Sequence, residues 1–373
     1  MNRVHAMVEL SRFSLLASAF IVVGTTQAVQ GATLTVPFEL ARHIAKNNGK
    51  KTCTVSPPAP VISLSLSSIY EDDDESHSTI DPQHKERYDK AISQTRQFAA
   101  FVTKYASNYT ETDGNRLDAA SCALKALDSW ARADALSDLK TRQSYLSTTR
   151  ILAGAALAYV QVRPAAALLE FDTGAIEKWL GSLADRTIPV YTESGERNSN
   201  KQNHRYWGGF AVTAVGVAIG RKDFLDFGFE SYKLGVCQVT ADGALPLELM
   251  RKKKARDYHL HAAGPLVMMA SLLQANGYDA LSQCDNGLER LAHFALGSIN
   301  DPSKMEMLAG EPQVNLPRDK NGLIRPDRIA WLDAYLHYYP EDRKVYGKLF
   351  EGALFSSNLG GRVSVLYNVS ERD

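Results

Sequence analysis

The chain has 373 residues, 45% of them hydrophobic, and its 42 Lys+Arg balance its 42 Asp+Glu to a formal charge of zero. That length and apolar fraction suffice for one large domain or two ordinary ones. Charge neutrality argues against a nucleic-acid binder, which carries a basic excess, but permits a local basic cleft for an anionic substrate.

The N-terminus reads as a secretory signal. Arg3 and Arg12 flank a polar start, FSLLASAFIVVG (13–24) is an apolar run, and small residues follow, so cleavage is expected after Ala28 or Ala32. The run is short for a membrane span, and no later segment is long enough. The expectation is a signal peptide over 1–28 and a single domain over 33–373, exported to the periplasm or secreted. Cysteines in an oxidising compartment can pair. A bridge between Cys53, just before SPPAPV, and Cys122, in AASCALKALDSWARA, would pin the N-terminal arm onto a helix. Cys237 and Cys284 read as buried thiols or a second bridge.

After the arm (33–60) comes SLSLSSIYEDDDESHSTID (63–81), polar and strongly acidic at 71–75, which reads as an exposed loop or flap. From 86 onward the apolar spacing is helical. AASCALKALDSWARADAL puts Cys122, Ala123, Ala126, Leu127, Trp130 and Ala133 on one face. Further helices are predicted at about 144–162, 174–186, 206–220, 222–239, 255–277, 286–298 and 328–338. Thr173 and Asp223 are candidate N-caps, and Gly220 and Gly277 suit helix ends. RVSVLY near the C-terminus alternates like a strand but cannot make a sheet alone. The fold class is therefore all-α, with roughly ten helices and no evident fixed-period repeat. Many helix pairs in one domain suggest a helical toroid or barrel, or a large irregular bundle. A toroid leaves a groove lined by loops and helix starts, which suits an extended polymer.

Two stretches carry candidate chemistry. In NKQNHRYWGG (200–209) an amide and an imidazole, Asn203 and His204, stand at a helix start, where free N–H groups and the helix dipole favour an anion such as a carboxylate. The competing reading is an N-cap Asn beside a surface His. In LPLELMRKKKARDYHLHAAGPL (245–266), Arg251 and Tyr258 are seven apart and share a face of a continuous helix. A guanidinium there would favour the phenolate of its neighbour. The competing reading is a solvated basic run. His259 and His261 suggest a metal pair, but i and i+2 diverge on a helix, and no ligand spacing elsewhere supports zinc, so no metal or other cofactor is expected. A glycosidase needs paired carboxylates. Asp128, Asp134, Glu248 and Asp333 are candidates, without a spacing that singles out a pair. Trp130, Tyr206, Trp207 and Trp331 could stack on sugar rings or pack in the core.

Taken in order, CALKALDSWARADAL, NHRYW, RKDFLDFGFESYKLGVCQVTADGALPLELMRKKKARDYH, IAWLDAYLHYY and NLGGRVSVLY resemble the mannuronate-type alginate lyases of polysaccharide lyase family five, from about Cys53 to Tyr367. The resemblance implies an (α/α) toroid with a groove and a mobile N-terminal lid, here about 63–85. It implies a monomer acting on an anionic polysaccharide by β-elimination without a metal. Asn203, His204 and Arg251 would contact the uronate carboxylate and Tyr258 would exchange protons. Tyr70, Trp130, Tyr206, Trp207 and His259 are expected as further substrate contacts.

Three departures bear on specificity. Relatives carry a lysine before the lid tyrosine, where this chain has Ile69 before Tyr70. They carry Gly-Ser-Asp and an arginine after it, where this chain has EDDDESH ending at His77. They carry a basic Gly-Lys-Ser-x-Arg-Lys-Trp stretch, where this chain has SYLSTTR (144–150). The expectation is a less positive groove entrance with an acidic lid that repels a polyuronate at neutral pH. That predicts weaker polymannuronate affinity, an acid-shifted optimum or a different polyuronate. The rival readings are a non-catalytic polysaccharide-binding protein on the same scaffold and a helical-barrel glycoside hydrolase.

Overall fold

The computed structural model describes residues 34–38, 52–111, 117–193, 195–318 and 324–367, with Met1 and Gly322. The chain divides into two units, Met1–Ala32 and Thr33–Asp373. The expected signal peptide lies outside the described residues. No helix among the described residues is long and apolar enough to cross a membrane.

Thr33–Asp373 is helical, as its periodicity predicts. The helices that build its body are α1 (Pro82–Thr110), α2 (Leu117–Arg132), α3 (Arg142–Ala166), α4 (Gly174–Thr192), α5 (Asn203–Ile219), α6 (Lys222–Val236), the single turn α7 (Pro246–Leu249), α8 (Ala255–Ala275) and α9 (Gln283–Gly297). α1, α3, α5 and α8 pack side by side, each against the next, while α2 packs on α4 and α6 on α9 behind them. α5 is apolar all round and buried from Arg205 to Ala218, as a helix enclosed on every side must be. It is flanked by α3, α4, α6 and α8. Close approach is set by small residues: a Cβ on Gly154 of α3 would come within 1.9 Å of the Ser357 carbonyl oxygen, so only glycine fits there.

Helix ends follow local chemistry. The Asp81 carboxylate accepts from the His84 N–H at 2.7 Å and Pro82 opens α1, starting it four residues before the predicted onset at 86. Thr141 caps α3 by accepting from the Ser144 N–H. Gly220 ends α5 at φ 77°, the left-handed cap expected of it. Asp223 is not the cap of α6; Arg221 takes that position, and the Asp223 carboxylate accepts from the Arg221 guanidinium instead. Thr173 occupies the N-cap of α4 but makes no capping bond. In α9, Cys284, Asp285 and Asn286 have left-handed backbone, so the regular helix starts at Gly287.

Strand is confined to two-residue pairs. β1 (Ser63–Leu64) runs parallel to β2 (Asp138–Leu139), and β3 (Phe355–Ser356) pairs antiparallel with β4 (Gly361–Arg362). The strand-like alternation of RVSVLY ends at Arg362, and Val363–Leu366 is a helical turn. Disulfides join Cys53 to Cys122 and Cys237 to Cys284. The first fastens the arm to α2, and β1 continues it along the start of α3, where the Leu66 carbonyl accepts from Thr141. That anchored strand feeds directly into the loop above the cleft.

Candidate active site

The start of α5, the turn from α7 into α8 with the first turns of α8, the first turns of α3, and the loop after β1 meet around one cleft of about 650 Å³, with residues of α1, the 197–199 segment and Arg328 completing its walls. α5 contributes Asn203, His204 and Trp207; the α7–α8 turn contributes Arg251, and α8 contributes Tyr258 and His261. The spacing of 203 and 204 puts them at the open helix start, and Gln202, not Asn203, is the N-cap. Arg251 and Tyr258 do meet, although Arg251 precedes the helix: its guanidinium lies 3.7 Å from the centre of the Tyr258 ring.

The loop folds as a hairpin whose base is the Tyr70–Ile80 bridge, closed by Glu71 N–H to Thr79 O (3.2 Å) and Asp81 N–H to Ile69 O (3.0 Å). It lies down on the site. The Tyr70 and Tyr258 hydroxyls hydrogen-bond to each other, Arg251 donates to the His77 carbonyl at 2.8 Å, and Lys253 donates to Thr79 at 3.1 Å. His77 has φ 47°, which turns that carbonyl toward Arg251. The acidic run is not one repulsive surface. Burial opposes charge on Asp74, but bonds from Ser76, Thr79 and Ser78 hold its carboxyl far below the usual range and make it the pin of the turn. Glu75 does line the cleft.

Despite the three departures, the cleft walls are rich in cations. Arg142 and Arg150 of α3, Arg96 of α1, Arg197, Lys254 and Arg328 all line it. Asp257, the other lining acid, is neutralised by Arg328 at 3.1 Å. Arg150, Arg251 and Lys254 pair with no carboxylate among the described residues.

Titration is set by enclosure. Burial lowers His204 to about 3, reinforced by Arg150, Arg251 and Arg142, so its imidazole is neutral. His261 is pushed well down for the same reasons. Burial and the Tyr70 hydroxyl raise the Tyr258 phenol well above its ordinary range; Arg251 pulls the other way, as expected, but is outweighed. The resting phenol is protonated.

Three expected substrate contacts lie elsewhere. Trp130 is fully buried, stacked on Phe98 at 3.8 Å, with its indole N–H on the Pro58 carbonyl. Tyr206 is 1% exposed and donates to the Lys201 carbonyl from inside the core. His259 is buried with both nitrogens used: Nδ1 donates to Ala255 O (2.7 Å) and Nε2 accepts from Leu245 N–H (2.9 Å). Each sits on the helix face turned to a neighbouring helix. Trp331, likewise, is core. Of the expected contacts, Tyr70 and Trp207 do line the cleft. Trp130→Ala should therefore cost about 3–5 kcal/mol of stability in urea unfolding while leaving the KM of the folded enzyme near wild type; a raised KM at unchanged stability would return Trp130 to the site.

Sequence reading gave other roles, or none, to residues that sit in or against the cleft. His261 is three after Tyr258, the spacing that puts two side chains on one helix face, and its ring lies 5.2 Å from Trp207. Arg142 and Arg150 are eight apart on α3, also one face. Glu248 was one of several unpaired carboxylates; it is fully buried and accepts from Asn203 through both N–H (2.8 Å) and Nδ2 (3.0 and 3.1 Å). Asp128, Asp134 and Asp333 do not line the cleft.

The alginate lyase family model matches residues 65–305. An alginate lyase of Pseudomonas syringae pv. syringae is 30% identical over 325 residues, covering 86% of this chain and 84% of that protein. One from Pseudomonas fluorescens is 30% identical over 367 residues, covering 95% of both. Among solved structures, alginate lyase A1-III from Sphingomonas species A1 superposes with TM-score 0.70 at 22% identity, over 87% of this chain and 89% of that one. A tetrasaccharide complex of a histidine variant of A1-III gives 0.72 at 22% identity, over 91% and 97%. These likenesses show the fold, the α/α toroid of that enzyme. With a family model over most of its length and relatives at 30% identity, the chain belongs to the alginate lyase family and is a polysaccharide lyase.

Proposed function

We propose that this enzyme cleaves mannuronate-rich alginate by β-elimination, leaving a 4,5-unsaturated uronate at each new non-reducing end. The observation that carries this reading is the convergence of phenol, imidazole, amide and guanidinium on one basic cleft. The C5 proton of a uronate is very weakly acidic, and its removal moves charge onto the carboxylate as an enolate-like species. Arg251, the His204 imidazole N–H and the Asn203 amide are donors suited to that developing charge. Tyr258 takes the C5 proton and returns one to the leaving O4; in mannuronate both lie on the same face, so one phenol serves both steps. Glu75 and Asp257 give the cleft no free carboxylate pair of the kind a glycosidase uses, which favours elimination over hydrolysis.

The test is ultraviolet absorbance of the conjugated product across pH on polymannuronate, polyguluronate and polyglucuronate. Fastest turnover of polymannuronate supports the reading. Fastest turnover of another polyuronate moves the substrate, and no product on any of them leaves a binding protein. We further infer a monomer working in the periplasm; two disulfides support an oxidising compartment.

The loop acts as the lid of this reaction, and Asp74 is its pin. Asp74→Ala removes the acceptor for the Ser76, Ser78 and Thr79 N–H groups, so kcat/KM should fall about tenfold with little change in Tm, because the lid lies outside the core. The pKa of Asp74 is depressed in the fold, so the lid stays ordered until pH falls below the usual carboxylate range. An unchanged kcat/KM would remove the lid from turnover.

A further inference from the structure

Asn203 is arranged the wrong way round for its role. Its NH₂ group faces the buried Glu248 carboxylate, at 3.0 and 3.1 Å from the two oxygens, and its Oδ1 is buried without a hydrogen-bond partner. With its NH₂ group on Glu248, the amide has only its oxygen left to offer a uronate carboxylate, and two oxygens repel. The two ends of the amide are the same size, so half a turn about Cβ–Cγ exchanges them without steric cost. That turn sets Oδ1 against the Glu248 oxygens, which is unfavourable for a carboxylate and favourable for a carboxylic acid, whose O–H can donate to it. The Asn203 backbone N–H keeps its bond to Glu248 Oε1 (2.8 Å) in either case.

We propose that Glu248 is a positioning residue that holds a proton during turnover, and that this proton turns the Asn203 amide so that its NH₂ group donates to the substrate carboxylate. This rests on the elimination reading above. The surroundings of Glu248 support it. The acid is fully buried on the single turn α7. Facing it are Asn203 and Tyr206 from α5, Arg251 from the α7–α8 turn, and Tyr258 from α8. Burial raises its pKa; the Asn203 bonds and Arg251 offset only part of that. A uronate carboxylate bound beside Asn203 adds a like charge, which favours the neutral acid further. The substrate thereby helps install the donor that binds it.

The experiment compares Glu248→Gln with wild type. A Gln amide copies the protonated acid: its oxygen accepts from the Asn203 N–H, its NH₂ donates to Asn203 Oδ1, and it cannot ionise. The one other ionisation that does not cancel in the ratio of their kcat values is Tyr258, whose pKa, already raised by burial, Glu248 raises further; that coupling alone makes the ratio level off, whereas loss of the amide donor makes it keep rising. The ratio kcat(Glu248→Gln)/kcat(wild type) should rise about tenfold per pH unit once Glu248 ionises. Glu248→Ala, which orients nothing, should lose about 10²-fold in kcat where Glu248 of the wild type is protonated, a deficit that shrinks once it ionises. A ratio flat and far below one across the range of wild-type activity overturns the proposal; a ratio flat near one is decided by the infrared band of the protonated Glu248, whose absence overturns it. A wild type that makes no unsaturated product overturns the elimination reading instead. Should Glu248→Gln not fold, infrared spectra of Tyr258→Phe saturated with an oligomannuronate, with and without ¹³C-glutamate, decide. A labelled carboxylic-acid carbonyl band at pH values where wild type turns over supports the proposal; its absence there overturns it.

Discussion

Tyr258→Phe abolishes formation of unsaturated product, by at least about 10³-fold in kcat, while an oligomannuronate still binds with near wild-type Kd. The substitution removes one hydroxyl and keeps the ring on which the Arg251 guanidinium lies at 3.7 Å. The cleft therefore keeps its shape and its charge, and what is lost is the atom that exchanges protons. Burial and Tyr70 raise the phenol's pKa, so at neutral pH the base form is scarce and becomes commoner as pH rises. In wild type the step that takes the C5 proton should accelerate with pH until another group limits it. No side chain inherits the role. His204, at about 3, is a neutral imidazole, but burial first and then Arg150, Arg251 and Arg142 all oppose its taking a proton. Calorimetric binding together with product absorbance checks the prediction. Residual kcat within tenfold of wild type would transfer the base role to His204.

The helical framework was legible because α6 carries periodic apolar residues, α5 and α8 are long apolar runs, and α5 has at Gly220 an unambiguous end. The central pair at 203 and 204 was legible because a polar cluster at the mouth of an apolar helix has few structural uses. What failed was the choice of face. Tyr206 and His259 share helices with residues that line the cleft, while Trp130 is on α2, which lines none of it; an apolar stripe says only that a face is covered, not whether a helix or a ligand covers it. The charge of the cleft was illegible for a different reason. Arg96, Arg142, Arg197 and Arg328 come from separate parts of the chain and are gathered by packing, so no local run announces them. Conversely the acidic run at 71–75 was conspicuous, but the sequence gives no sign that Asp74 is spent on three backbone N–H groups. Glu248 lay in plain view as a lone carboxylate; its meaning comes only from contact with Asn203, 45 residues away.

Arg251→Ala lowers kcat by about 10²–10³-fold and shifts the rising limb of the kcat profile to higher pH. One guanidinium has three tasks here. It lies on the Tyr258 ring, it donates to His77 of the lid, and its Nε is buried with no partner among the described residues. A buried donor without an acceptor in the free enzyme is one whose bond is made when substrate arrives, and the charge that grows on a uronate carboxylate supplies the acceptor. The pH shift has a definite sign. Arg251 favours the phenolate and so lowers the Tyr258 pKa against the effect of burial. Removing it raises that pKa further, and a higher pH is needed to populate the base. Arg251→Lys separates the tasks. An ammonium restores charge but not a planar group able to stack on the phenol while reaching the His77 carbonyl, so it should recover the pH limb more fully than kcat/KM. The checks are kcat against pH for the three enzymes and ultraviolet difference titration of tyrosinate. An Arg251→Ala enzyme with wild-type kcat and an unshifted limb would reduce Arg251 to a lid contact, and the carboxylate would need another source of stabilisation, for which Arg150 is the nearest candidate in charge and freedom from carboxylate partners among the described residues.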